Sequence, residues 1–121
     1  MVGSSLAIII PAKNEKSTIT EVIHKAKKYG QVIVIDDASE DDTSEFSKQA
    51  GAIVIRNSKT LFYDKTLEQG FNAALVKNFK FAVTMDADGE HDYQDIPKFK
   101  EELENGFDLV IGQRNFLPRI S

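Results

Sequence analysis

Residues 81–92 read F-A-V-T-M-D-A-D-G-E-H-D. The first five are apolar or β-branched; from Asp86 on, every second residue is an acid: Asp86, Asp88, Glu90 and Asp92. On one face of a strand that spacing would line up four like charges, which repel. In a loop leaving the strand, the same spacing can wrap a hard cation. The stretch therefore reads as a buried strand that ends at Met85 and hands over to an acidic loop. Four other runs share its apolar half: residues 6–10, 32–35, 52–55 and 108–111. Each is short and mostly apolar at consecutive positions, the pattern of strands covered on both faces in a parallel sheet. Pro11, Asp36-Asp37, Arg56-Asn57 and Gly112 are read as the stops of those four runs.

Helical patterns lie between the strands. Ile19, Val22, Ile23 and Ala26 follow the i, i+3, i+4, i+7 spacing, and Thr18 with Glu21 has the form of a capping box. Leu67, Phe71, Ala74 and Leu75 keep helical spacing in a segment running to about Asn78. Ile96, Phe99 and Leu103 do the same, with Asp95 as N-cap and Gly106 as stop. Residues 43–50 form a weaker, more polar helix. Strand and helix alternate throughout, which predicts a three-layer α/β/α fold with a mainly parallel sheet of about five strands, in one domain over residues 1–121.

The bulk numbers narrow the function. The chain has 121 residues, 41% hydrophobic and 28% charged, with a net charge of −4. An acidic balance argues against a nucleic-acid partner, which needs a basic face to displace counterions. It leaves room for a nucleotide, because a bound metal supplies positive charge locally. There are no cysteines, so thiolate metal sites are excluded and a reducing, cytoplasmic setting is the simplest expectation. The N-terminal residues lack the basic start and the length of a signal peptide, and no run reaches the ~18 apolar residues of a membrane span.

In parallel sheets, ligands bind beyond the carboxyl ends of the strands. Polar groups gather there: Pro11-Ala12-Lys13-Asn14-Glu15 after the first strand, Asp36-Asp37-Ala38-Ser39 after the second, Asn57 after the third, Asp86 to His91 after the fourth, and Gln113-Arg114 after the fifth. Asp86 and Asp88, separated by small Ala87 and followed by Gly89, suit Mg²⁺ or Mn²⁺, which take one or two carboxylates and fill the shell with water and phosphate oxygens. The pattern lacks the Gly and Glu positions of a calcium EF-hand loop. Asp36 or Asp37, with Glu15, can accept from ribose hydroxyls or a ring N–H. Asp36 to Ser39 can equally cap the helix that follows. His91 either orients a ligand or bonds within its loop, and Lys25, Lys27 and Lys28 read as a solvated face. Phe79, Phe81, Phe99 and Phe107 read as core. Phe116, Leu117 and Ile120 are an apolar ending that would cover a further part of the protein or a second copy of the chain.

Taken in order, the stretches IIIPAKNE (8–15), VIVIDDASEDDT (32–43), FYDKTLEQGF (62–71), MDADGEHDYQDIP (85–97) and DLVIGQR (108–114) resemble the inverting family 2 glycosyltransferases, with the dolichyl- and polyprenyl-phosphate sugar transferases most alike. The resemblance implies the GT-A nucleotide-diphospho-sugar transferase fold. It implies a UDP- or GDP-sugar donor, a polyprenyl phosphate or glycan acceptor, and a location at the cytoplasmic membrane surface when the acceptor is a lipid. Pro11, Ala12, Lys13, Glu15 and Asp37 would line the base and ribose pocket, with Asp36 beside them. Asp86 and Asp88 match the metal-binding D-x-D, with Ala87 between them. Glu90 stands where relatives often have Gln as a further metal ligand, and Arg114 matches a basic residue near the diphosphate. Relatives usually carry glycines in the third loop, as in G-Y-G, where this chain has Phe62-Tyr63-Asp64; Lys65 there either reaches a phosphate or is an exposed helix-start lysine. The family's acceptor half, with its catalytic base where one is needed, follows the fifth strand, so this chain is expected to carry the donor half.

Three other readings share some of these features. A signalling receiver domain also binds Mg²⁺ through an acid pair. It carries that pair after the first strand, a phosphoacceptor Asp after the third and a Lys after the fifth, where this chain has Pro11, Asn57 and Gly112-Gln113-Arg114. A sugar nucleotidyltransferase would open with a Gly-rich triphosphate loop after the first strand. A module that holds the donor and catalyses nothing remains an alternative for the isolated polypeptide.

Overall fold

The computed structural model describes residues 6–88. Strand β1 (Leu6–Ala12) shows why the apolar runs are continuous. Leu6, Ile8, Ile10 and Ala12 pack on one side of the sheet with Ile19, Val22, Ile23 and Ala26 of helix α1 (Ile19–Ala26). Ala7 and Ile9 pack on the other side with Ala74 and Phe71 of helix α3 (Phe62–Val76). A strand buried on both faces needs an apolar residue at every position, not at every second one.

Strands β2 (Gln31–Asp37), β3 (Ile53–Asn57) and β4 (Phe81–Thr84) complete the sheet, and helix α2 (Thr43–Gln49) joins β2 to β3. All pairings are parallel, in the order β3-β2-β1-β4. The chain steps outward from β1 to β3, then returns to the far side of β1 for β4. This is the α/β architecture expected. It also excludes a receiver domain, whose order 2-1-3-4-5 would place the third strand against the first. The expected fifth strand at 108–111 and the helix around Ile96 lie outside the described residues. Among the described residues, no helix is long and apolar enough to cross a membrane.

Two expected strand ends move. β1 continues through Pro11, and Pro11 pairs in register with Ile35. The Ile9 carbonyl accepts from the Met85 N–H on the β4 side, so alternation aims the Pro11 nitrogen to that side too, past the last β4 pair at Thr84. Pro11 has no N–H to offer on that side, and the β1–β4 pairs end there. β2 likewise continues through both aspartates. Period-two alternation then sends Asp36 to the α1/α2 face, with Val32 and Val34, and Asp37 to the α3 face, with Ile33 and Ile35.

Helix α3 starts in the third loop and presents Thr66, Leu67, Gly70 and Ala74 to the sheet. A Cβ at Gly70 would run into the Ile9 side chain, so the helix backbone lies directly on β1. Leu75, expected on the buried stripe, is 70% exposed. Phe79 and Phe81 pack against the core as expected. The capping box is not formed: Thr18 takes the N-cap position of α1 without a side-chain cap bond. Asn14, Ala38 and Phe62 hold φ values of 54°, 64° and 70°. Asn14 and Ala38 lie on loops at the carboxyl edge of the sheet, and Phe62 opens α3 there. Phe62 adopts the left-handed conformation that a glycine would take without penalty, so the loop turns sharply even though it lacks the family's glycines.

Candidate functional site

An open cleft of about 190 Å³ lies at the carboxyl end of β1, lined by Pro11, Ala12, Lys13, Glu15, Asp37, Tyr63 and Thr66. Five of these were expected from the sequence: Pro11, Ala12, Lys13, Glu15 and Asp37. β2 and β4 flank β1, so the chain segments leaving them stand about two strand spacings, ~10 Å, apart across the end of β1. The chain reverses its direction of travel through the sheet between β3 and β4. The gap beside β1 is thus the switch point where such sheets bind ligands.

The two adjacent aspartates have separate tasks. Asp36 is fully buried and accepts from the Ser39 N–H at 3.0 Å and from the Ser44 hydroxyl. Arg56 Nε stands 3.9 Å from it, and the same guanidinium donates to the Ser39 carbonyl at 2.7 Å. These contacts make Asp36 the organiser of the β2–α2 loop, and the structure does not bring it to the cleft. Its expected place in the donor pocket is corrected by the alternation of the strand. Asp37 is only 6% exposed but reaches the cleft wall. Its Oδ1 accepts from the Leu61 N–H at 2.7 Å and the Asn57 amide at 3.2 Å, and its Oδ2 from the Phe62 N–H at 2.9 Å. Burial works against its charge, yet these donors and the nearby Lys13 ammonium outweigh it and hold the carboxyl below the usual aspartate range. Asn57 and Gln69 exchange amide hydrogen bonds at 2.8 and 2.7 Å and brace this arrangement.

The β1–α1 and β2–α2 loops are stitched together. The Asn14 N–H donates to Ser39 Oγ at 2.8 Å, the Glu40 N–H to Asn14 Oδ1 at 2.8 Å, and the Glu15 N–H to Thr43 Oγ1 at 2.9 Å. Asp41 joins them, accepting from the Thr43 hydroxyl and from the N–H groups of Thr43 and Lys16. Lys13 Nζ donates to Thr60 Oγ1 at 2.6 Å, spanning from β1 to the start of α3. Lys65 is exposed on the first turn of α3 and does not line the cleft.

The acidic loop begins where β4 ends. Asp86 is half-buried, Ala87 is buried and Asp88 is exposed. Tyr63 ties this loop to the cleft: burial raises its phenol pKa, and the negative charges of Asp86 and Asp64 raise it further. Asp86 therefore acts electrostatically on a residue of the cleft wall. Among the described residues, no three His, Cys, Asp or Glu side chains gather closely enough to hold a metal by themselves. Two carboxylates on either side of a fixed alanine are a hard, oxygen-only donor set. That set fits a Mg²⁺ or Mn²⁺ ion whose remaining ligands are water and phosphate. Glu90 and Arg114 lie outside the described residues.

Sequence reading missed Tyr63 and Thr66 as cleft residues. Tyr63 lies in a stretch that carries the family resemblance, one residue into α3. Thr66 is one turn further, and its hydroxyl donates to the Tyr63 carbonyl at 2.7 Å. Both become visible once α3 is known to start at the rim of the sheet.

The glycosyl transferase family 2 model matches residues 7–117. An uncharacterised protein of Methanocaldococcus jannaschii is 38% identical over 110 residues, covering 88% of this chain and 45% of that protein. A dolichol-phosphate mannosyltransferase of Pyrococcus furiosus is 33% identical over 123 residues, covering 90% of this chain and 33% of that enzyme. A glucosyl-3-phosphoglycerate synthase of Mycobacterium tuberculosis, solved with Mn²⁺, UDP and phosphoglyceric acid, superposes with a TM-score of 0.56 at 25% identity, over 70% of this chain and 33% of that one. The chain spans less than half the length of each of these three proteins. With the family model running over nearly the whole sequence, and the parallel sheet that the family resemblance implied, the chain belongs to glycosyl transferase family 2.

Proposed function

We propose that this chain binds a nucleoside diphosphate sugar, with UDP or GDP as the nucleotide, and forms the donor half of a metal-dependent, inverting glycosyltransferase. The observation that carries this reading is the cleft itself: Asp37 forms one wall and Tyr63, under the field of Asp86, another. At about 190 Å³ the cleft is smaller than the ~300–1,000 Å³ that encloses a whole ligand, so it takes the base or ribose and leaves the diphosphate toward Asp86. A carboxylate offers about four lone-pair sites. Asp37 uses three, two on Oδ1 and one on Oδ2, and keeps one on Oδ2 for a single ring N–H or ribose hydroxyl. Glu15 offers a second acceptor from the opposite loop.

Asp86 and Asp88 would hold Mg²⁺ or Mn²⁺ with Glu90 as a further ligand, and Arg114 would stand by the diphosphate. A bound ion supplies Lewis-acid neutralisation of the charge that collects on the leaving nucleoside diphosphate. The acceptor oxygen attacks the anomeric carbon from the face opposite the breaking bond, which inverts that centre. A lipid phosphate is already ionised and needs no base, whereas a sugar hydroxyl needs one to take its proton. The Pyrococcus furiosus relative supports a polyprenyl-phosphate acceptor, and such an acceptor would bring the whole protein to the cytoplasmic membrane surface. The Mn²⁺ and UDP in the mycobacterial neighbour support the metal and the nucleotide.

Thermal melts with UDP-, GDP- and CDP-sugars, each with Mn²⁺ and with EDTA, test the reading. One base series is expected to raise Tm by several degrees with Mn²⁺, as ligand at ~100-fold its Kd adds about 2.7 kcal/mol. No shift with any donor, or the same shift in EDTA, would count against it.

A further inference from the structure

Thr18 stands at the N-cap of α1, where its hydroxyl would ordinarily bond to the helix's own first turn. It does not. Its Oγ1 lies 2.8 Å from the Ala87 carbonyl, 69 residues away in sequence, and 3.2 Å from Glu15 Oε2. The Glu15 carbonyl is more distant, at 3.4 Å. A hydroxyl has one proton, and the shortest contact is to Ala87.

Ala87 is the residue between Asp86 and Asp88. Its methyl group belongs to the core cluster on the α1/α2 face, alongside Ile10 and Met85. Its carbonyl is held by Thr18. Held on both sides, the Ala87–Asp88 peptide cannot rotate without breaking the Thr18 bond or pulling the methyl from the core. The position of Asp88 relative to Asp86 is set by that peptide. Glu15, which lines the cleft, also touches the same hydroxyl, so one side chain connects the donor pocket to the acidic loop.

We infer that Thr18 is a positioning residue that fixes the spacing of Asp86 and Asp88 for a divalent cation. The inference rests on the proposed function, in which those aspartates hold the ion that holds the diphosphate. Groups that orient metal ligands typically change metal affinity by ~10–100-fold when removed. A residue that only closed the loop would change folding stability and weaken nucleotide binding equally with and without metal.

The test compares wild type, T18V, which removes the hydroxyl at nearly constant shape, and T18S, which keeps it. UDP and GDP are each titrated calorimetrically with Mn²⁺ and with EDTA, and each variant is melted. For the nucleotide that wild type binds more tightly with Mn²⁺, T18V is expected to lose about tenfold of the metal-dependent gain, with a much smaller loss in EDTA through the contact with Glu15. T18S is expected to recover most of the gain. T18A carries the same expectation if the valine variant does not fold. Full retention of the gain in T18V, equal losses with and without metal, or a T18S that behaves like T18V would overturn the inference. A wild type that shows no Mn²⁺-dependent gain with either nucleotide would instead overturn the underlying donor reading, and the wild-type titration alone reveals that case.

Discussion

The Phe62 N–H donates to Asp37 Oδ2 at 2.9 Å, and Phe62 makes that bond from a left-handed backbone with φ of 70°. An aspartate at the end of β2 thereby caps a helix that starts 25 positions later in the chain. The conformation costs an L-residue about 1–2 kcal/mol, and the phenyl ring recovers little of it, being 73% exposed. Phe62→Gly is expected to stabilise the fold by about 0.5–1 kcal/mol, after the ~0.5–1 kcal/mol entropy cost of a glycine is set against the relieved strain. Urea unfolding at unchanged slope measures this. A clear loss of stability would mean that the ring packs where the structure leaves it open.

Asp37→Ala removes the acceptor from two N–H groups at the start of α3 and is expected to cost about 2 kcal/mol. The pH dependence has a definite sign. The folded carboxyl titrates below the ordinary value of 3.8, so the unfolded chain binds the proton more readily. The stabilisation is complete above the unfolded value and is lost as pH falls through the depressed folded one. The stability gap between wild type and Asp37→Ala should therefore be full at neutral pH and narrow in acid below about 3.8. A gap that widened on acidification would contradict this assignment of the carboxyl.

Gly70→Ala sets two effects against each other. Helix propensity favours alanine by about 1 kcal/mol. The added methyl would meet the Ile9 side chain at the centre of the sheet, and overpacking of this kind costs about 1–3 kcal/mol. Net destabilisation is expected in thermal melts, with weaker nucleotide binding because α3 also carries Tyr63 and Thr66. A rise in Tm would show that α3 has room to move away from β1.

Asp88→Asn changes an exposed residue and is expected to leave stability within about 0.5 kcal/mol of wild type. It should remove the Mn²⁺-dependent part of nucleotide affinity. Calorimetry giving the same metal-dependent gain as wild type would remove Asp88 from the ligand set.

The four described strands were legible because each is mostly apolar at consecutive positions, and burial on both faces accounts for that. Their ends were not. Pro11 and Asp36-Asp37 look like stops, but Pro11 ends only the pairing with β4 while β1 goes on pairing with β2, and the two carboxylates find donors on opposite faces of the sheet. The same oversight misplaced Asp36: two adjacent acids in a loop share a site, whereas in a strand they part. Lys13, Glu15 and Asp37 were legible as cleft residues because they directly follow or end strands that lead to the carboxyl edge. Thr18 pointed the wrong way. Its local pattern with Glu21 suggested a capping box, while its actual partner is a carbonyl 69 residues on, which no local pattern reveals. Leu75 fits the helical spacing, but the sheet contacts run along the stripe of Thr66, Gly70 and Ala74, which leaves it outside.

The central claim is that Asp86 and Asp88 hold the cation that holds the donor diphosphate. Crystals grown with Mn²⁺ and UDP, or with GDP if that is the nucleotide bound, test it through the anomalous signal of manganese. The account predicts a strong peak within direct coordination distance of carboxylate oxygens of both Asp86 and Asp88 and beside the diphosphate, with the base or ribose against Pro11 and Asp37. A nucleotide seated in the cleft with its manganese bound elsewhere, or with no metal at those carboxylates, would contradict it.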